Sequence, residues 1–407
     1  MNHCISLTLA TRLLQLAALA LCSGCSILMS SAHHATSDLH FARGEYEAAI
    51  AEDTKGIEVA PDFYLGYVSR GETYTYARRY DLALEDYRKA MALKPEEAVS
   101  HLDYVKLLVF MRREQEAAEH AESFLRSHPD SALLKCGLAI ALERSKAYPR
   151  AHELAGRCVA EFEAGANRRE LPLTFDERSL AHFYGLHARL AARVGRKDEA
   201  SRSIEKATSI RGTFGVQNDF ETRYSRASVH YIEGNWEKAL QVLDEAYAQA
   251  KGAEKDSMVG VESRFLLGQC YQQLGRWREA QGAYKEFIAA NPHEKEAFAN
   301  LGLVKAKLGD SESAVADFSK ALDIDPKFLD ARRNRGTEYL RQKRYESAIE
   351  DFSAVLAQDG SDAATLYRRA YAYCTNGQRT LGAKDLRAIL RVEPKNDEAK
   401  ALLSDCT

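Results

Sequence analysis

One small residue returns along this chain at a nearly fixed interval. It is Ala49, Ala83, Ala117, Ala151, Ala200, Ala239, Ala280, Ala314, Ala348 and Gly382 in turn. Eight of these lie one even step from a neighbour on the same beat, and the steps lengthen only between Ala151 and Ala280. A second residue class keeps the same beat. Six of the eight prolines (Pro61, Pro95, Pro129, Pro292, Pro326 and Pro394) close the corresponding segments. One period in two unrelated residue classes calls for one supersecondary element repeated many times. Elements of this length cannot bury an apolar face alone, so they stack. Proline lacks the amide N–H and clashes with the preceding turn, so it ends a helix. A small residue where two helices cross lets them approach; a larger one overpacks, at a cost of about 1–3 kcal/mol. The expected fold is all-α, an α–α superhelix (solenoid) of about ten helix–turn–helix repeats.

The segment 63–95 carries Gly71, Tyr74, Tyr80, Ala83, Tyr87, Ala90 and Pro95. These offsets resemble the tetratricopeptide repeat, whose length is about 34 residues. The frame recurs at 264–292 (Gly268, Tyr271, Trp277, Ala280, Tyr284), 298–326 (Phe298, Gly302, Ala314, Phe318) and 336–356 (Gly336, Tyr339, Tyr345, Phe352). Repeat three keeps Ala117 and Pro129 without the Gly and Tyr signatures. The longer intervals carry insertions around 165–179, 211–220 and 250–259. The chain therefore divides into repeats one to four (38–164), an irregular stretch with repeats five and six (165–260), repeats seven to ten (261–395) and a capping helix (396–407).

The N-terminus reads as an address. Leu13–Leu21 is apolar apart from one Gln, and Arg12 is the only formal charge before Cys25. A positive start and a short apolar middle make a secretory signal peptide, and the run is too short to span a bilayer. Cys22-Ser23-Gly24-Cys25 resembles the bacterial lipobox, with Cys22 where Leu is usual. The resemblance implies removal of 1–24 and acylation of Cys25; plain secretion with cleavage nearby and an uncleaved anchor are the competing readings. Ser26, rather than Asp, implies an outer-membrane lipoprotein facing the periplasm. Residues 25–37 are expected as a solvated tether; His33, His34 and His40 cluster at this end, with a metal role as the alternative reading.

Lys plus Arg count 56 and Asp plus Glu 59, a net charge of −3. That excludes the basic footprint of a nucleic-acid-binding domain. Five cysteines remain after the expected processing, and a secretory compartment permits disulfides. Cys136 and Cys158, or Cys374 and Cys406, are the pairs the repeats bring near. Buried free thiols are the plainer expectation.

No phosphate loop, dinucleotide fingerprint or metalloprotease motif is present. Ser203-Ile204-Glu205-Lys206 matches SxxK without the companion motifs such enzymes need. His182 and His187 are five apart and face different ways on a helix. No catalytic residue, cofactor or metal-ligand set is read. An enzyme would need its site in 165–220, too short for a separate catalytic domain. A pocket there with convergent titratable groups would mark it.

Arg70, Arg226, Arg335 and Arg369 replace the usual Leu at one first-helix position. Asp86, Asp351 and Asp385 follow three of them at one constant offset; Glu52, Asp317 and Asp351 precede the same three at another. Buried charges need partners, and a guanidinium offers a planar fork to a carboxylate, so an interhelical ladder is expected. The alternative is a basic binding stripe.

First helices of tetratricopeptide repeats line a groove. Some family members clamp a C-terminal carboxylate there; only Asn334 and Arg368 match, with Ala299, Leu303 and Ala364 elsewhere, so no clamp is read. A track of Asn300, Arg333, Asn334, Arg341, Tyr367, Arg368 and Tyr371 remains, suited to peptide recognition or to a plain solvated face. The expectation is a non-enzymatic, lipid-anchored scaffold that binds protein or peptide partners. It resembles tetratricopeptide lipoproteins that assemble pili, secretins or outer-membrane proteins. A self-assembling structural lipoprotein is a further alternative.

Overall fold

The computed structural model describes residues 25–164, 177–212, 220–250, 255 and 257–406. The expected signal peptide, 1–24, lies outside them, as do most of the two insertions at 165–176 and 213–219. The described residues hold 21 helices and no strand. Ten consecutive pairs are α1 (Cys25–Ala42) with α2 (Tyr46–Val59), α3 (Tyr64–Tyr76) with α4 (Tyr80–Leu93), and α5 (Ala98–Phe110) with α6 (Glu114–Ser127). Next come α7 (Ala132–Arg144) with α8 (Tyr148–Glu163), α9 (Glu177–Arg193) with α10 (Lys197–Gly212), and α11 (Phe220–Ile232) with α12 (Trp236–Gln249). The last four are α13 (Met258–Gln273) with α14 (Trp277–Ala290), α15 (Lys295–Lys307) with α16 (Ser311–Ile324), α17 (Leu329–Arg341) with α18 (Tyr345–Leu356), and α19 (Ala363–Thr375) with α20 (Arg379–Val392). A final helix, α21 (Asp397–Cys406), packs on α20 as a cap.

Every small residue of the recurring beat sits on a second helix. The nine alanines are fully buried, and Gly382 is buried too. Each repeat turns from its first helix into its second through one residue with positive φ. Six are glycines, such as Gly309 (φ 87°), and four are Arg78, Arg112, Lys146 and Lys343, with φ near 60°. The next amide closes the turn with a bond five residues back, as from Arg344 N–H to Tyr339 O at 2.8 Å. This is the Schellman ending, which satisfies orphan helix carbonyls. The signature glycine of the first helix has a separate reason. A Cβ on Gly268 would lie 2.6 Å from the Tyr284 ring, and one on Gly336 2.8 Å from Phe352.

Two expectations change. Residues 25–37 are no tether: they form α1, which packs on α2 and makes the first repeat begin at Cys25. It is pinned to α2 by His34 Nδ1 on the fully buried Asp53 at 2.8 Å, by His33 Nδ1 on Glu52 at 2.8 Å and by Ser37 Oγ donating to Ala49 O at 3.0 Å. The cysteines are not free thiols in the two pairs. Cys136–Cys158 links α7 to α8, and Cys374–Cys406 links α19 to the cap. Stacking brings each pair of Cα atoms to 5.7 and 5.3 Å, within bridging range. Gly382 makes room for the second bridge, because a Cβ there would strike Cys374 Sγ. Cys270 is buried and lies outside either bridge.

The chain forms two compact units, Met1–Ser263 and Arg264–Thr407, with the boundary inside α13. In the N-terminal unit one apolar core runs from Ala83 to Ala207. It includes Leu107, Leu108, Leu133, Leu134, Phe183 and Leu186, all nearly inaccessible. The C-terminal unit has smaller cores around Phe318 and Leu386. No described helix is long and apolar enough to cross a membrane.

Candidate functional site

The arginine set is structural. Arg70 Nε and Nη2 donate to Asp86 at 2.8 Å each, Arg335 does the same to Asp351, and Arg369 grips Asp385 at 2.8 and 2.9 Å. These bonds raise each guanidinium pKa above its usual range. The third nitrogen does not reach the carboxylates expected behind it, Glu52, Asp317 and Asp351. It donates instead to a hydroxyl on the second helix of the preceding repeat: Thr54 (3.2 Å), Ser319 (3.0 Å) or Ser353 (3.1 Å). Arg226 keeps only the backward link, to Thr208 at 2.9 Å. Glu52 is held by His33 and Lys55, and Asp317 by Lys305. Each ladder arginine also lies 5.7 Å from the ring one turn on, Tyr74, Tyr339 or Tyr373. One side chain thus fastens two helices of its own repeat to the repeat before it.

The ladder leaves a second row of polar groups without such work. Asn300, Asn334 and Arg368 occupy one position in three successive repeats, on α15, α17 and α19. Those first helices touch one another in order. The three side chains are half-buried and make no hydrogen bond or ion pair among the described residues. Tyr371, 44% exposed, stands one turn beyond Arg368 on the same helix face. The other members of the track differ. Arg333 is committed to Asp330 (2.8 Å), Asp362 (3.2 Å) and Thr365 (3.3 Å), which tie α17 to α19. Arg341 pairs with Glu338 at 3.0 Å, and Tyr367 packs half-buried beside Leu366 and Leu386. The open set is therefore Asn300, Asn334, Arg368 and Tyr371.

A second feature lies in the N-terminal unit and was missed in the sequence. A pocket of about 510 Å³ opens between α8, α9 and α10, lined by His152, Arg157, His187, Arg196 and Glu199 among others. His187 stands in the same register before Ala200 that the ladder arginines take before Ala83, Ala348 and Gly382. Ser203 takes the place of the ladder aspartate and meets His187 Nδ1 at 2.9 Å. Register against the small-residue beat could have flagged this substitution. The SxxK serine is thus a buried partner of a histidine. His182 faces elsewhere, 3.4 Å from Glu221.

Models of the tetratricopeptide repeat match residues 66–97, 102–162, 219–293, 265–327, 305–363 and 333–381, together more than half of the chain. The chain belongs to the tetratricopeptide-repeat family. It is similar to mouse DnaJ homolog subfamily C member 7, at 23% identity over 346 residues, 75% of this chain and 68% of that protein. It is also similar to mouse sperm-associated antigen 1, at 23% over 298 residues, but spans only 31% of that protein. Among solved structures, human IFIT1 with m7Gppp-AAAA matches over 90% of each chain at 14% identity and TM-score 0.52, a likeness of fold alone. Pseudomonas aeruginosa pilF matches 56% of this chain at 18% identity and TM-score 0.46. The fold supports protein or peptide binding by an interaction scaffold.

Proposed function

We propose that this protein is a non-catalytic scaffold that holds a peptide or protein partner on the first-helix face of repeats eight to ten. The observation that carries this reading is the row Asn300, Asn334 and Arg368. Three polar side chains at one repeat position have no hydrogen-bond or ion-pair partner among the described residues, with an exposed tyrosine beside them. Amide and guanidinium groups left unsatisfied at a protected surface gain most when a ligand backbone or carboxylate supplies the missing bonds. Tyr371 adds contact area at low entropy cost.

The scaffold is anchored to a bacterial outer membrane through an acylated Cys25 and faces the periplasm. The lipobox-like run supports this, as do two disulfides, which suit an oxidising compartment. Cys25 opens α1 with no spacer, and Leu28 and Met29, 49% and 53% exposed, lie just beyond it. Anchoring confines the partner to the membrane plane and raises its effective concentration.

The test is recovery of partners by the mature protein from its own envelope extract, compared with Asn334→Ala/Arg368→Ala. Selective loss of a partner in the variant is expected. Recovery unchanged by both substitutions would remove the face from the account. Labelling with a radioactive fatty acid, abolished by Cys25→Ser, checks the anchor separately.

A further inference from the structure

The pocket at α8–α10 holds three metal-donor groups aimed at one point. Glu199 Oε1 lies 3.2 Å from His152 Nε2 and 3.2 Å from His187 Nε2. Neither contact has hydrogen-bond geometry, and both Nε2 atoms are buried without a hydrogen-bond partner. The three donors lie within 4.8 Å of one another. The rings are nearly parallel, 17° apart with centroids at 5.0 Å, so both nitrogens share one end of the stack.

Another histidine pair in the same unit shows what a satisfied arrangement looks like. His101 Nδ1 and His120 Nε2 bond each other at 2.9 Å, and His101 Nε2–H donates to Pro95 O at 3.1 Å. That pair spends its nitrogens on the protein. In the His152–His187 pair each Nε2 meets Glu199 Oε1 instead, at 3.2 Å, so three donor atoms converge.

We infer that His152, His187 and Glu199 form a three-ligand site for a divalent cation of the zinc class, with a fourth position facing the pocket. Two imidazoles and a carboxylate are a donor set zinc accepts, at about 2.0–2.2 Å from each atom, and three protein ligands leave a tetrahedral position open. Such bond lengths imply donors ~3.3 Å apart, which both histidine–glutamate distances already meet. The supporting contacts are those a metal site uses. A proton on His187 Nδ1, given to Ser203 Oγ, leaves Nε2 with its lone pair free. Arg196 holds the other oxygen of Glu199 at 3.3 Å, which turns Oε1 inward. The inference does not depend on the peptide-binding face, which lies in the other unit.

The experiment is calorimetric titration of the chelator-treated, untagged full chain with ZnCl₂, alongside Glu199→Gln, His187→Gln and His120→Gln. Circular dichroism checks that each variant is folded. One equivalent of zinc is expected to bind the wild type and His120→Gln alike. Glu199→Gln and His187→Gln are expected to weaken it by roughly tenfold or more, the scale seen on disturbing metal-site residues. Cobalt(II) should give tetrahedral d–d absorption with the wild type and lose it with Glu199→Gln, which needs no large change in shape. Absence of saturable zinc binding, binding that survives both ligand substitutions, or loss in His120→Gln would overturn the assignment.

Discussion

Helices α5 and α7 and helices α17 and α19 hold the same place in the repeat but bury very different faces. In α5 and α7, ten of thirteen residues are buried in each; in α17 and α19 the numbers are three and four. The sequences explain it. LLVF and LAIAL segments make α5 and α7 apolar over most of their circumference, and a helix of that kind must be largely enclosed. The N-terminal unit encloses them by packing first helix on first helix and by ion pairs such as Arg144–Glu262 and Arg189–Glu143. The C-terminal unit leaves LDARRNRGTEYLR and AATLYRRAYAYCT with an open polar face. The repeat frame thus serves as core in one unit and as a presented surface in the other.

That contrast can be broken at the ladder. Asp351 is nearly inaccessible and satisfies Arg335, so Asp351→Ala leaves a half-buried guanidinium without its carboxylate. The expected loss is about 3–5 kcal/mol, the scale for breaking a buried pair, measured by urea unfolding. A loss under about 1 kcal/mol, as for a surface pair, would show that the C-terminal unit does not depend on its ladder.

The cap disulfide is next. Cys374→Ser/Cys406→Ser should lower stability by about 2–4 kcal/mol, and reductant should affect the wild type but not the variant. Ellman titration before and after reduction checks that the bridges exist.

Acid should separate the two units. Eleven of the twelve histidines precede residue 264. Burial, then the charge of His120, lowers His101 from 6.5 to about 4. The folded state therefore binds fewer protons than the unfolded chain between these values. Stability is full above pH 6.5 and falls as pH drops through the window, by about 2 kcal/mol at pH 5 from His101 alone. Hydrogen exchange corrected for intrinsic rates should show α5 and α6 loosening at pH 5 while α17–α20 hold. Equal loosening would remove the distinction.

The smallest effect concerns the turns. Lys343 adopts φ 59°, where its equivalents in six repeats are glycine. Lys343→Gly should stabilise by about 0.5–1 kcal/mol, since the left-handed penalty exceeds the glycine entropy cost. Thermal melts would register it.

The period of Ala49 to Gly382 made ten helix pairs and a cap readable from the sequence, because close packing forces one small residue per repeat. The forward ladder, Arg70 to Asp86 and its equivalents, was readable for the same reason. Its backward hydroxyls were not, since a nearby carboxylate looked the better partner for a charge. Residues 25–37 misled because helix α1 carries no repeat signature; its bonds to Glu52, Asp53 and Ala49 O are visible only once it lies against α2. The His152–His187–Glu199 cluster joins three helices across the longest interval; register against Ala200 marks His187 and Ser203, but the insertion hides that His152 meets them. Of the seven track residues, the sequence could place all on first helices but not see that Arg333 was already engaged.

The most direct test of the account replaces single residues with a photo-crosslinking amino acid in the native host. Position 371 lies on the open first-helix face; position 392, at the end of α20, is 82% exposed. A discrete partner adduct from 371 that vanishes in Asn334→Ala/Arg368→Ala, with none from 392, is the predicted result. Adducts from 392 alone, or from 371 regardless of the double substitution, would contradict it.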